Sequence, residues 1–163
     1  MKVHEVMTTH VQCCSPSTDL AAAAVMMFAG DCGVLPVLLE HQVMGIITDR
    51  DIAIALGTRG KRASEIPVGE VMSTTLYACA PDDDMHTALK TLRRAKVHRL
   101  PVIDSYGELH GIVSMNDVVL YAEHAHGKQA PDLTYDDVVS TFKAMCEHRH
   151  PKGGAVALEA TAG

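Results

Sequence analysis

The sequence contains one internal duplication, and this duplication is the feature that most limits the possible folds. Shifting the 163 residues by 65 positions aligns EVMT at residues 5–8 with EVMS at residues 70–73, and the tripeptide LPV recurs at matching places. After one inserted residue, GIIT at residues 45–48 aligns with GIVS at residues 111–114. Because the matches keep one order with a single gap, we predict two copies of one structural unit.

Each copy has the hydrophobic pattern of a small unit with the element order β-α-β-β-α. In the first copy we expect strands at 11–14, 34–39 and 43–48, a helix from 18 or 19 to 29, and a helix from 49. In the second copy we expect strands at 76–79, 99–103 and 109–114, a helix between acidic 82–84 and basic 93–96, and a helix from 115. The predicted fold class is α/β (α+β), with two repeats packed about a pseudo-two-fold axis, because one such unit buries too little surface alone.

The duplication also defines the predicted domains. In chain order, these are a first repeat at 1–60, a second repeat at 61–126, a helical extension at 127–150 and a disordered tail at 151–163. A linker rich in glycine and basic residues is expected at 57–67. Within the extension, a loop at 127–131 precedes the capping-box spacing of Thr134 and Asp137, and an apolar stripe then predicts a helix at 134–148.

Composition and charge exclude several classes of protein. The net charge is −6 and aromatic residues make up 4%, which disfavours a surface for phosphate backbones or stacked bases. The longest apolar run, residues 20–29, is about half of a membrane span, and the N-terminus lacks the apolar region of a signal peptide. Five cysteines without a C-x-x-C pair favour a reducing cytoplasm. We therefore expect a cytoplasmic protein that binds neither nucleic acid nor a membrane.

Catalysis and metal binding are not indicated by the remaining residues. The sequence has no nucleophile elbow, zinc-protease motif or phosphate-binding loop, so we expect no enzyme activity. His124 and His126 stand two residues apart, as do His148 and His150, and this spacing on a helix does not face one metal ion. A redox role stays open for the five cysteines, which are Cys13, Cys14, Cys32, Cys79 and Cys146.

The two copies share a chemically suggestive junction, in which an apolar strand runs into a hydroxyl residue with an aspartate three residues later. These pairs are Thr48 with Asp51 and Ser114 with Asp117. One interpretation is a capping box, in which each pair only begins a helix. The other is a nucleoside site, because a helix N-terminus attracts phosphate and a carboxylate can accept from both ribose hydroxyls. The spacing alone does not separate the two.

The repeated pattern resembles a tandem pair of CBS domains, the modules named after cystathionine β-synthase. The resemblance covers residues 1–125 and rests on VMT or VMS, on LPV and on GIITDRDI or GIVSMNDV, each in the right order. It implies that the repeats pack as a Bateman module, which often forms a flat homodimer. It also implies clefts for adenosine-containing ligands such as AMP, ADP, ATP, S-adenosylmethionine or NAD, without an obligatory cofactor.

By the same resemblance, the aspartate of each junction binds the ribose of the ligand. Asp51 and Asp117 are then the ribose-binding residues, and Thr48 and Ser114 lie near ribose or phosphate. The residue before the aspartate is often Thr or Ser in the family, but it is Arg50 in the first copy and Asn116 in the second.

A pair of basic residues before the second LPV resembles the phosphate-contacting pair of the AMP-activated kinase gamma subunit. This pair is His98 and Arg99, and the matching residues of the first copy are the uncharged Gly33 and Val34. We therefore expect two unequal clefts, with phosphates near His98 and Arg99.

Two functions follow as hypotheses from the sequence. The first is a regulatory module that senses adenine nucleotides and passes the signal to an unknown effector protein, with the C-terminal helix as the surface for a dimer or a partner. The second is a ligand-free dimerisation or scaffold module, in which the hydroxyl and aspartate pairs are helix caps only.

Overall fold

The computed structural model describes residues 1–124 and 131–147, so the predicted tail and most of the predicted loop at 127–131 lie outside the described residues. The first half contains α1 (Val3–Val6), α2 (Leu20–Ala29), β1 (Val34–Leu39), β2 (Gln42–Thr48) and α3 (Asp49–Arg59). The second half contains α4 (Met85–Ala95), β3 (Arg99–Ile103), β4 (Leu109–Ser114), α5 (Met115–Tyr121) and α6 (Tyr135–Cys146). Short 3-10 turns at Ala63–Glu65 and Val68–Glu70 join the halves. The predicted mixed fold with two repeats and a C-terminal helix is confirmed.

Side-chain caps explain why the long helices begin where the sequence predicts. The Asp19 carboxylate accepts a hydrogen bond of 2.9 Å from the Ala22 amide at the start of α2. At the start of α4, Asp84 accepts one of 2.9 Å from the His86 amide. Both bonds satisfy amides that have no partner within the helix.

The sheets are two antiparallel hairpins, β1 with β2 and β3 with β4. The first turns through Glu40 and His41, whose φ angles of 49° and 70° suit the twist of a two-residue hairpin loop. Each hairpin has one register shift, at Val37/Leu38 and at Val102/Ile103, so the duplication extends to this irregularity.

The predicted strands at 11–14 and 76–79 are wrong as extended strands. In each segment only one residue pairs, because Cys14 bridges Val37 and Cys79 bridges Val102, both in parallel. A proline stands two residues further on in both copies, where it has no N–H to continue a ladder. We call residues 8–14 the first arm and residues 73–79 the second arm.

The predicted linker at 57–67 begins inside α3. Helix α3 continues through Arg59, and the side chain of Ile66 is fully buried in the core of the first repeat together with Val68. The segment between the repeats is therefore part of the packed structure.

The two hydrophobic cores exchange segments between the sequence repeats. Val3 and Val6 of α1 lie in the core of the second repeat, whereas Ile66 and Val68 lie in the core of the first. The exchange is fixed by equivalent backbone bonds: the Leu20 amide donates to Ile66 O at 3.0 Å, and the Met85 amide donates to Met1 O at 3.1 Å. Each core needs residues from both halves of the chain, as the small size of the repeats led us to expect.

The C-terminal helix packs on the second repeat, and its prediction at 134–148 is confirmed within two residues. Helix α6 buries Val138, Thr141 and Met145, and its main contact is with α4. Its opposite face leaves Tyr135 and Val139 exposed. Among residues 1–124 and 131–147, no helix is long and apolar enough to cross a bilayer.

Candidate functional site

Two open clefts lie where the repeats meet. Cleft A has a volume of about 310 Å³ and is lined by residues of the first arm, of the loop between α2 and β1, and of the β4–α5 junction. Cleft B has a volume of about 330 Å³ and is lined by residues of the loop between α4 and β3 and of the β2–α3 junction. The two clefts are related by the duplication, because residues 31–34 of cleft A align with residues 96–99 of cleft B.

Backbone bonds hold each strand–helix junction against the loop before the hairpin. The Asp49 amide donates to Gly33 O at 3.1 Å, and the Met115 amide donates to His98 O at 3.0 Å. Strand pairing places Thr48 opposite Val34 and Ser114 opposite Arg99. Each hydroxyl therefore stands at a helix N-terminus and beside the first residue of the neighbouring strand, as an anion site requires.

Each arm makes close contact with the hairpin of the other repeat, and the first arm lines cleft A. Thr8 bridges Ile112, and Ser73 bridges Ile46. The glycine before each isoleucine makes the approach possible, since a Cβ on Gly111 would lie 2.7 Å from Thr8 O and one on Gly45 would overlap Ser73 O. The glycine of the repeated motif is thus required by packing at the cleft wall.

Both junctions form complete capping boxes, which confirms the hydrogen bonds that the capping interpretation predicts. Thr48 donates to Asp51 Oδ2 from its amide at 2.9 Å and from its hydroxyl at 2.7 Å. Ser114 donates to Asp117 Oδ2 at 2.7 Å and 2.6 Å. These caps use one oxygen of each carboxylate. In cleft A, Asp117 Oδ1 accepts a bond of 3.2 Å from the Thr8 hydroxyl of the first arm.

The structure divides the predicted site residues between the clefts. Cleft A contains Arg99, Ser114, Asn116 and Asp117. Cleft B contains Thr48, Arg50, His98 and Arg99, so that Arg99 belongs to both. Asp51 is not among the residues that line cleft B; it lines an adjoining groove of about 220 Å³ between α3 and residues 70–71. Its link to cleft B is the bond to Thr48.

Several residues that line the clefts were not identified from the sequence. In cleft A these are mainly Thr8, His10, Gln12, Asp31 and Cys32. In cleft B they are Ile46, Asp49, Lys96 and Val97. Asp31 and Lys96 could have been found from their equivalent positions, because each stands four residues before the first residue of LPV in its own copy.

The charges of the two clefts differ. Apart from His98, cleft B contains the cations Arg50, Lys96 and Arg99 and the single carboxylate of Asp49. The Asp49 carboxylate accepts a bond of 2.7 Å from the Arg50 amide. Lys96 donates from Nζ to Glu147 O at 2.7 Å, which connects this cleft to the end of α6.

The cysteines separate into buried and accessible thiols. Burial raises the pKa of Cys14 to about 11 and that of Cys79 to about 12, so both are protonated at neutral pH. Cys32 lines cleft A and Cys146 is exposed. In the described part of the chain, no three His, Cys, Asp or Glu side chains are grouped so that they could hold a metal ion. Of the predicted histidine pairs only His124 is described, and its ring packs edge-on against Tyr135.

Fold and clefts together define a pair of CBS domains. The sequence profile of the CBS domain matches residues 3–58 and 68–124, and the chain belongs to this family. A pair of CBS domains is a regulatory module.

Relatives of similar length share the whole module. The chain is 35% identical over 118 residues to the CBS domain-containing protein YhcV of Bacillus subtilis, covering 72% of this chain and 83% of that protein. It is 30% identical over 144 residues to hypoxic response protein 1 of Mycobacterium tuberculosis, covering 87% and 92%.

Solved structures show the same fold. A crystal structure of hypoxic response protein I with two coordinated zinc ions matches with a TM-score of 0.69 and 27% identity, over 76% of this chain and all of that one. The CBS domain pair of protein MJ0100, in complex with 5′-methylthioadenosine and S-adenosyl-L-methionine, matches with a TM-score of 0.67 and 22% identity, over 74% of this chain and 94% of that one.

Proposed function

We propose that the protein is a regulatory module that senses adenosine-containing nucleotides in clefts A and B. The observation that carries the proposal is the paired site itself: two clefts related by the duplication, each lined by a hydroxyl residue at a strand–helix junction and by Arg99. The adenosyl ligands named for the MJ0100 pair support this ligand class. The signal passes to an effector protein or a second copy of the chain, and no reaction is catalysed.

In cleft A, the group assigned to the ribose is Asp117. Its Oδ2 is held by Ser114, so the carboxylate is oriented before a ligand arrives. Its Oδ1 is bound by the Thr8 hydroxyl at 3.2 Å, a long bond that a ribose hydroxyl can replace with a shorter one. Asn116 and Arg99 line the same cleft and supply donors.

In cleft B, the groups assigned to phosphate are Arg50, His98 and Arg99, together with the Thr48 hydroxyl. Guanidinium groups bind phosphate oxygens in pairs, and the N-terminus of α3 adds a partial positive charge. Asp51 lines the adjoining groove rather than cleft B, so its assigned role here is to orient the Thr48 hydroxyl, which donates to Asp51 Oδ2.

The proposal is tested by calorimetry and thermal unfolding with AMP, ATP, NAD and S-adenosylmethionine. A ligand that binds only the folded protein adds about 2.7 kcal/mol of stability at 100 times its dissociation constant. Asp117→Asn should weaken binding in cleft A by about tenfold or more, because the charged acceptor for ribose is lost. The matched control is Asp137→Asn, which alters the same capping box at the start of α6, where Thr134 donates to Asp137.

Two results would overturn the proposal. One is that none of the four compounds shifts the melting temperature of the wild-type protein. The other is that Asp117→Asn and Asp137→Asn change binding equally, since Asp117 would then act only as a helix cap and not as a ligand-binding residue.

A ligand-free dimerisation module is the second candidate, and exposed apolar side chains favour it. Phe28 on α2 is 89% exposed and Leu120 on α5 is 81% exposed, and such side chains mark protein contacts when they form a patch. Light scattering of the wild type and of Phe28→Ser and Leu120→Ser tests this candidate. A monomer at all concentrations would exclude it.

The free thiols of all five cysteines support a cytoplasmic setting.

A further inference from the structure

We propose that the two clefts bind adenosyl ligands of different charge: a polyphosphate nucleotide in cleft B, and an adenosyl ligand without phosphate in cleft A. This inference rests on the proposed adenosine binding and adds to it the ligand class of each cleft. The residues that set the difference are Asp31 and Lys96, which the duplication places at equivalent positions.

Asp31 and Lys96 share an unusual backbone conformation. Asp31 follows α2 and Lys96 follows α4, and both have positive φ angles, 46° at Asp31 and 53° at Lys96. Few residues other than glycine adopt this conformation, and both copies retain a charged side chain in it. Each of the two side chains lines the cleft of its own loop.

The two clefts carry opposite charges at the equivalent positions of Asp31 and Lys96, and the other charged residues of each cleft add to this difference. Cleft A contains two carboxylates, Asp31 and Asp117, against Arg99 as its one permanent cation. Cleft B contains Arg50, Lys96 and Arg99 against the carboxylate of Asp49, which is bound to the helix N-terminus. A phosphate chain therefore meets repulsion in cleft A and attraction in cleft B, and repulsion is an effective means of rejecting a ligand.

The cations of cleft B are available to a ligand. Within residues 1–124 and 131–147, neither Arg50 nor Arg99 forms an ion pair with a carboxylate. Lys96 donates to Glu147 O, but this neutral carbonyl uses one of its three N–H donors and leaves the charge unpaired. In cleft A the carboxylate of Asp31 likewise has no ion-pair partner in the described part of the chain, so its charge acts on whatever enters.

Titration calorimetry with ATP and with adenosine as separate probes tests the inference. In the wild type we expect ATP to fill one site at least tenfold more tightly than a second, and adenosine to compete poorly for the ATP site. Lys96→Met should weaken ATP binding by about tenfold without changing adenosine binding. Lys96→Arg keeps the charge and should retain ATP binding. Asp31→Asn should tighten the second ATP site by about tenfold, leaving the first unchanged.

The outcomes distinguish this inference from the function on which it rests. If ATP fills two sites with equal affinity, or if Asp31→Asn leaves the second site unchanged, the inference is wrong and nucleotide sensing stands. If adenosine and ATP both fail to bind, the inference is overturned, and the proposed function falls with it only if AMP, NAD and S-adenosylmethionine fail as well. If Lys96→Met and Lys96→Arg weaken ATP binding equally, the bond to Glu147 rather than the charge explains the loss, and the assignment of Lys96 falls.

Discussion

The ammonium group of Lys96 lies 2.7 Å from the backbone oxygen of Glu147, and this bond joins the wall of cleft B to the last turn of α6. A cation at the C-terminus of a helix satisfies carbonyls that have no partner within the helix. Helix α6 is also bound near its middle, where Arg93 donates to the Ser140 hydroxyl at 3.5 Å. A ligand in cleft B that moves Lys96 away from Glu147 O therefore releases this anchor of α6.

Removal of this anchor should loosen the end of α6. We expect Lys96→Met to speed hydrogen exchange of the last amides of α6 about fivefold, because a hydrogen bond contributes about 1 kcal/mol. Exchange in β3 and β4 should stay unchanged. Mass spectrometry of peptides that cover residues 135–147 measures the effect, with Lys143→Met on the exposed face of α6 as the control. Equal exchange in wild type and Lys96→Met would show that the bond does not hold the helix end.

Thr141 should be replaceable by valine with a gain in stability. Its side chain is 0% exposed, and its hydroxyl oxygen has no hydrogen-bond partner in the described residues. Because a buried hydroxyl without a partner costs about 1–3 kcal/mol, Thr141→Val, which has the same shape, should raise the unfolding free energy by about 1 kcal/mol.

Chemical denaturation of both proteins checks the Thr141 prediction. The control is Thr58→Val on α3, where the exposed hydroxyl donates to Ile54 O and the change should stay within about 0.5 kcal/mol. A lower stability for Thr141→Val would mean that the hydroxyl is satisfied in solution.

The helices and hairpins could be predicted because their signals are local. Asp19, Asp84 and Thr134 cap helices within three residues of themselves, and short runs rich in Val, Leu and Ile specify the strands. The arms were mispredicted because each makes only two isolated bridges, one at either end, and these depend on distant hairpins and leave no periodic pattern in the sequence. Helix α1 was not predicted because four residues are too few for a helical period.

The exchange of segments between the cores could not be read from the sequence. Both copies carry the same pattern, so Val3 and Ile66 fit either core equally well until contacts are known. The junction residues Thr48 and Ser114 were found because the motif repeats. Asp31 and Lys96 were missed for the opposite reason, since a position that inverts its charge gives no match between copies.

The capping box of α6 should make stability depend on acid pH. Burial alone would raise the pKa of Asp137, but hydrogen bonds from the Thr134 hydroxyl and amide, with the charges of His86 and Arg93, lower it below the ordinary value of 3.8. Because the pKa is lower in the folded state, the stabilisation is fully present above the ordinary carboxyl pKa. It is lost as the pH falls through the lowered pKa.

The measurement is the difference in unfolding free energy between wild type and Asp137→Asn as a function of pH. We expect a loss of about 0.5–1 kcal/mol at neutral pH, which shrinks as the pH falls below the ordinary carboxyl pKa. The neighbouring and exposed Asp136→Asn serves as the control. A difference that is independent of pH would mean that the carboxylate charge has no role in the box.

Two glycines on neighbouring elements should respond to alanine in opposite directions. Gly45 is buried on β2, where a Cβ would overlap the backbone oxygen of Ser73 in the second arm. A backbone atom cannot move aside as a flexible side chain does, so Gly45→Ala should lower the unfolding free energy by about 1–3 kcal/mol and displace the second arm.

Gly57 provides the matched control, because it lies within α3 and a Cβ there meets nothing within 4 Å. Gly57→Ala should raise stability by about 0.5–1 kcal/mol through the higher helix propensity of alanine. Urea denaturation of the two variants measures both changes. If Gly45→Ala is as stable as wild type, the second arm is not packed against β2 as described, and the wall of cleft B that Ile46 provides must be assigned again.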